Sequence, residues 1–238
     1  MSIAENIAAV RENIARAALE AGRRPEEIML VGASKMNDAA ACREAIAAGI
    51  DALGENRVQE MTQKLAENAY DGAPLHFIGH LQRNKVNKVV GSAALIESAG
   101  SNELLRAIDA QAGKLGIVQE VLLEVNIGGE DAKSGFSPLL LPEAAEYALS
   151  LGNIRVRGLM CIPPVADGPH GSIPYFEKVR LLYVDINEKM YHNKLDMLSM
   201  GMSGDYEDAV RTGATVVRVG TAIFGRRNYG APTHSIPE

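Results

Sequence analysis

The chain of 238 residues is long for one ordinary domain but of normal length for a single α/β barrel, and its 47% hydrophobic and 23% charged residues suit a globular protein with a large core. A formal net charge of -6 argues against a nucleic-acid backbone as the main partner. Cys42 and Cys161 are too few and too far apart for a disulfide framework or a CxxC site, no apolar run reaches membrane-spanning length, and no charged-then-apolar leader opens the chain; one cytoplasmic domain over residues 1–238 is the expectation.

Ser2 and Glu5 have capping-box spacing, Ile3, Ile7, Val10 and Ile14 recur at helical intervals behind them, and Gly22 and Pro25 stop that helix. From there one theme repeats: a short apolar strand, a polar loop, an amphipathic helix. The strands are expected at Ile28 to Ala33, Asp51 to Gly54, Leu75 to Ile78, Ala94 to Ser98, Val118 to Val125, Ile154 to Leu159, Leu195 to Met200 and Thr215 to Val219. Eight such units favour a (β/α)8 barrel of the TIM type over an open sheet. Pro163 to Pro174, rich in Pro and Gly after the sixth strand, reads equally as a mobile lid and as a solvated connector.

A barrel of this kind builds its site at the C-terminal ends of the strands and often holds a phosphate in the loops after strands 7 and 8. Those two loops carry Met202-Ser203-Gly204 and Gly220-Thr221, each following an apolar strand and leading into an expected helix start. Unpaired N–H groups, small hydroxyls and glycines that admit close approach make a phosphate cradle. Lys35 follows the first strand, and because strand 1 of a closed barrel lies beside strand 8, Lys35 and Arg218 are expected near one mouth with the cradle beside them. A lysine facing a phosphate cradle suggests an aldehyde cofactor. Pyridoxal 5'-phosphate (PLP) requires a lysine for its Schiff base, an anchor for its phosphate and a partner for its ring nitrogen.

Seven segments resemble one family: VGASK at Val31 to Lys35, GENRVQE at Gly54 to Glu60, HFIGHLQRNK at His76 to Lys85, EVNIGGEDAKSG at Glu124 to Gly135, GLMCIPP at Gly158 to Pro164, SMGMSGDYEDAV at Ser199 to Val210 and VRVGTAIFG at Val217 to Gly225. They are similar to those of the pyridoxal phosphate homeostasis proteins, single barrels like the N-terminal domain of alanine racemase. The resemblance implies that Lys35 carries the cofactor as a Schiff base, that Arg218 meets the pyridine nitrogen, that Ser203, Gly204, Gly220 and Thr221 hold the phosphate, and that Asn56 and Met200 make further contacts to the ring. The chain departs from the family pattern at Met36-Asn37-Asp38, where relatives carry a further basic residue, and at ESAGS after strand 4, from which no function is inferred. Lys133 matches; it reads as a solvated loop lysine or as a weak second acceptor of the cofactor.

Other chemistry-bearing residues have plainer readings. His76 and His80 lie in a strand-to-loop context and would not share a helix face as a zinc pair must, so no metal site is expected. His80 lines the mouth in this reading, His170, His192 and His234 lie at the surface, Cys42 is helix core, and the basic run Arg83 to Lys88 is a solvated face. Two functions compete. One is a cytoplasmic carrier that binds PLP, keeps the free aldehyde low, hands it to PLP-dependent apoenzymes and so balances amino- and keto-acid pools with little or no catalysis. The other is a PLP-dependent amino-acid racemase, which by resemblance would require a second, β-rich domain bringing a tyrosine base. A plain phosphate-binding barrel without a Schiff base would leave Lys35 unexplained.

Overall fold

In the computed structural model, residues 1–130, 133–165 and 167–225 are described. Helix α1 (Ile3–Glu20) starts where the local signal places it: the Ser2 hydroxyl accepts from the Glu5 amide at 3.2 Å, and the Glu5 carboxylate accepts from the Ser2 amide at 2.7 Å. Its stripe of Ile7, Val10, Ile14, Ala17 and Ala18 is buried against α2 (Ala39–Ala47), α8 (Tyr206–Thr212) and α9 (Thr221–Phe224). Between these run β1 (Met29–Ala33), β2 (Ala52–Glu55), α3 (Val58–Ala66), β3 (Leu75–Phe77), α4 (Val86–Val89), β4 (Leu95–Ala99), α5 (Asn102–Leu115), β5 (Gln119–Val125), α6 (Leu141–Leu149), β6 (Ile154–Cys161), α7 (Ile173–Lys189), β7 (Met197–Ser199) and β8 (Val216–Val219).

The eight strands pair in parallel and in chain order, and β8 closes on β1 with Val31 opposite Arg218 and Gly32 opposite Val219. The expected barrel is therefore the observed one. Strand 7 is shorter than its apolar run, because Leu195 serves the loop: its amide donates to the Asn187 side chain at 2.8 Å and its carbonyl accepts from the Tyr183 hydroxyl at 2.7 Å. The connector after strand 6 ends at Ser172 rather than Pro174, since Pro174 lies in the first turn of α7, where a missing N–H costs nothing. His234 lies outside the described residues.

Alternation along each strand sorts the side chains into an outer shell and an interior. Outward, Leu30, Phe77, Ile96, Leu123, Leu159, Leu198 and Val217 join the buried faces of the helices in one large core. Inward, Val31, Ala52 and Val216 with Leu95, Leu122 and Met160 pack around Met197 and fill the lower part of the barrel. Above that apolar plug the interior turns polar: His76, Glu97, Ser199 and Arg218 are all buried. A charged layer in a barrel ordinarily filled by branched aliphatics points to the mouth above it as the place of chemistry.

Candidate functional site

Lys35 leaves the end of β1, Arg218 lies on the neighbouring β8, and the loops after β7 and β8 close the ring. Gly201 starts the loop after β7 with φ +92°, and a Cβ there would come within 2.5 Å of the Ala209 Cβ, so the sharp turn needs glycine. Its carbonyl accepts from the Arg218 amide at 3.0 Å, tying this loop to β8. The turn is then held by Asp205, whose carboxylate accepts from the Met202 amide at 2.7 Å. One residue later, Ser203 Oγ accepts from the backbone amides of Gly220 at 3.2 Å and Ala222 at 3.4 Å. Two amides from the start of the last helix thus converge on a single oxygen, the arrangement in which a phosphate oxygen is bound.

Lys35, Ser203, Gly204, Arg218, Gly220 and Thr221 line one cavity of about 450 Å³, within the ~300–1,000 Å³ typical of small-molecule sites. These are six of the eight residues named from the sequence. Asn56 lines a separate cavity of about 480 Å³ with His80, Glu124 and Ser134, and its Oδ1 is buried without a hydrogen-bond partner in the protein. Met200 is fully buried in the main core.

Arg218 is fixed from below. Its Nη2 donates to the Cys161 carbonyl at 2.9 Å and its Nη1 donates to Ser199 Oγ, whose hydroxyl donates to Glu97 Oε2 at 2.6 Å. Glu97 Oε2 lies 3.6 Å from Arg218 Nη1, and His76 Nδ1 donates to the other carboxylate oxygen at 2.8 Å. Burial alone would push the Glu97 carboxyl up, but the hydrogen bonds from His76 and Ser199 and the adjacent guanidinium outweigh it and hold the group below the usual carboxylate range. Arg218 therefore presents a fixed set of donors to the cavity floor, with its charge balanced behind it.

Two neighbouring groups behave differently. Burial pushes the Glu124 carboxyl up, against the opposing hydrogen bond from Ser134 and the charges of His80 and Arg218. Burial also pushes the Cys161 thiol up to about 12, which makes it a poor nucleophile at neutral pH. Cys42 lies buried in α2, as its helical spacing suggested. His80 and His192 are exposed, as is His170, which bonds the Asp208 carboxylate at 2.8 Å. Glu97, Ser199 and the role of His76 escaped the sequence reading. The available signal was a carboxylate inside the apolar run ALIESA, at the same strand parity as the interior-facing Leu95.

Residues 6–228 match the family of the alanine racemase N-terminal domain. The "Pyridoxal phosphate homeostasis protein" of Aquifex aeolicus is 43% identical over 229 residues, covering 96% of this chain and 100% of that protein. Its namesake in Pseudomonas aeruginosa is 42% identical over 231 residues, covering 97% and 98%. The chain belongs to the pyridoxal phosphate homeostasis protein family. Among solved structures, PipY of Synechococcus elongatus PCC7942 with PLP bound is similar at a TM-score of 0.82 and 34% identity, covering 94% of this chain and 100% of that one. The family's barrel and this chain's barrel thus agree over almost their whole length. No described helix is long and apolar enough to cross a membrane.

Proposed function

We propose that the protein binds PLP at the mouth of the barrel and acts in the homeostasis of that cofactor as a cytoplasmic carrier or buffer, with little or no turnover of its own. The observation that carries the reading is the joint lining of one cavity by Lys35, Arg218 and the Ser203, Gly204, Gly220 and Thr221 loops. The residues fit the group. Ser203 Oγ sits where amide donors converge, and an added Cβ at Gly204 would meet no protein atom within 4 Å, which leaves room at the cradle wall. When bound, PLP supplies an aldehyde for a lysine and a ring that can withdraw electrons.

In this reading Lys35 takes the aldehyde, the two loops hold the phosphate, and Arg218 donates to the pyridine nitrogen; Asn56 and Met200 are not among the residues lining that cavity. A guanidinium has donors only and a permanent charge, so it favours the unprotonated ring and a weak electron sink. Racemisation across such a ring needs a base on each face of the substrate. Among the described residues lining the cavity, Lys35 is the only one whose side chain is of a type that commonly serves as a general base. The same reading makes PLP-dependent apoenzymes the recipients of the cofactor, with an indirect effect on amino- and keto-acid pools.

A visible absorption spectrum of the purified protein, followed by borohydride reduction and peptide mapping, tests cofactor and lysine together: reduction should mark Lys35, and trapping mainly at Lys133 or another lysine would overturn the assignment. Incubation with single L-amino acids in deuterated solvent tests the absence of turnover. Steady formation of D-isomer above the rate of free PLP, abolished by Lys35→Ala, would favour the racemase.

A further inference from the structure

The peptide groups on both sides of Lys35 are held by one helix. On α3, Lys64 Nζ donates to the backbone carbonyl of Ser34 at 2.8 Å, and Glu60, one turn earlier on the same face, accepts from the Met36 amide at 2.8 Å. The Lys64 ammonium is almost completely buried and is neutralised by Glu55 at 2.5 Å. The same Glu55 oxygen accepts from Ser34 Oγ at 2.6 Å and from the Tyr70 hydroxyl at 3.1 Å. Met36 has φ +63°, a left-handed conformation uncommon for a residue other than glycine, so the chain turns sharply immediately after Lys35 and the Glu60 contact sits on that turn.

A buried lysine is costly, and an ion pair serving packing alone could be replaced by apolar side chains. Here the ammonium is instead aimed at the carbonyl that precedes Lys35, while the carboxylate four residues away takes the amide that follows it. The phosphate cradle is built by the loops after β7 and β8, with no hydrogen bond to α3 among those described. Aldehyde capture and phosphate anchoring therefore rest on different parts of the fold.

We propose that Lys64 and Glu60, with Glu55 behind them, are positioning residues that hold the Lys35 amine at the place of the cofactor aldehyde, and so set how much of the bound cofactor is covalent rather than how tightly its phosphate is held. The proposal rests on the reading that Lys35 takes the aldehyde. In that step the neutral amine adds to the aldehyde carbon, a C=N bond forms, and the aldehyde oxygen leaves as water with the two amine hydrogens; no oxidant or reductant takes part.

The test compares two ligands on the full chain: PLP, and pyridoxine 5'-phosphate, which has the same phosphate and ring but no aldehyde. Glu60→Ala, Glu60→Gln and the double variant Glu55→Gln with Lys64→Met, which removes both buried charges together, are each titrated with both ligands. The expected result is a loss of about tenfold in PLP affinity, with lower borohydride trapping at Lys35, while pyridoxine 5'-phosphate binds as to the wild type. Glu60→Gln should recover part of the loss because its amide oxygen can still accept from Met36. Equal losses for both ligands, or no change for either, would overturn the positioning role while wild-type trapping at Lys35 stands. Trapping of the wild type at another lysine would overturn the parent reading and this inference with it.

Discussion

Replacing Glu97 by Gln keeps the shape of the side chain and removes the charge that faces Arg218. The two groups are 3.6 Å apart, with side chains only 0% and 3% exposed. At that separation and an effective dielectric of about 20, the attraction lost is on the order of 4–5 kcal/mol. Leaving one member of a buried pair uncompensated costs about 3–5 kcal/mol in general, and Gln retains one acceptor for His76 or Ser199, so a loss of about 3 kcal/mol is expected. For a chain of this size that is roughly 6–12 °C in Tm. Urea unfolding of the wild type and the variant at several pH values measures it. Because Glu97 is held below the usual carboxylate range in the folded protein, its contribution is complete above that range and is lost as pH falls through the folded value. The variant lacks that contribution at every pH, so the two stability curves should converge on acidification. A destabilisation below about 0.5 kcal/mol at neutral pH, or a gap that does not narrow in acid, would refute the reasoning.

The proposed phosphate cradle makes its own demands. Ser203→Ala removes a hydroxyl whose oxygen accepts from the Gly220 and Ala222 amides and whose O–H can donate to a phosphate; titration should show PLP binding weakened by about 1.5–3 kcal/mol while unphosphorylated pyridoxal is unaffected. Gly201→Ala forces a Cβ onto a backbone at φ +92° and to within 2.5 Å of Ala209; denaturant unfolding should report a loss above about 2 kcal/mol, together with weaker phosphate binding. Ser2→Ala deletes one half of the α1 capping box, and a fall in stability of about 1 kcal/mol is expected by thermal unfolding, with cofactor affinity unchanged.

Local periodicity was enough to place all eight strands, and their number to favour a closed barrel, because short apolar strands alternate with polar loops and amphipathic helices along the chain. The meeting of the two glycine loops was legible for the same reason: Ser203 and Gly220 lie in short loops whose position follows from strand order. Closure alone puts β1, which leads into Lys35, beside β8, which carries Arg218. What one strand cannot tell is which interior side chains reach the same height, since that depends on the stagger of strands around the closed barrel. His76 and Glu97 lie on neighbouring strands, but Ser199 and Arg218 reach Glu97 from the far side of the interior, and only the tertiary structure makes them one network. Asn56 lies in a segment that the resemblance made a site motif, yet it lines a separate cavity with His80 and Glu124, which strand order alone does not reveal. Lys64 looks in sequence like any solvent-facing helix lysine. It is buried because α3 packs against β2 and reaches the turn after β1, where the Glu55 carboxylate and the Ser34 carbonyl, nine and 30 residues away, supply the partners that make burial of its charge affordable.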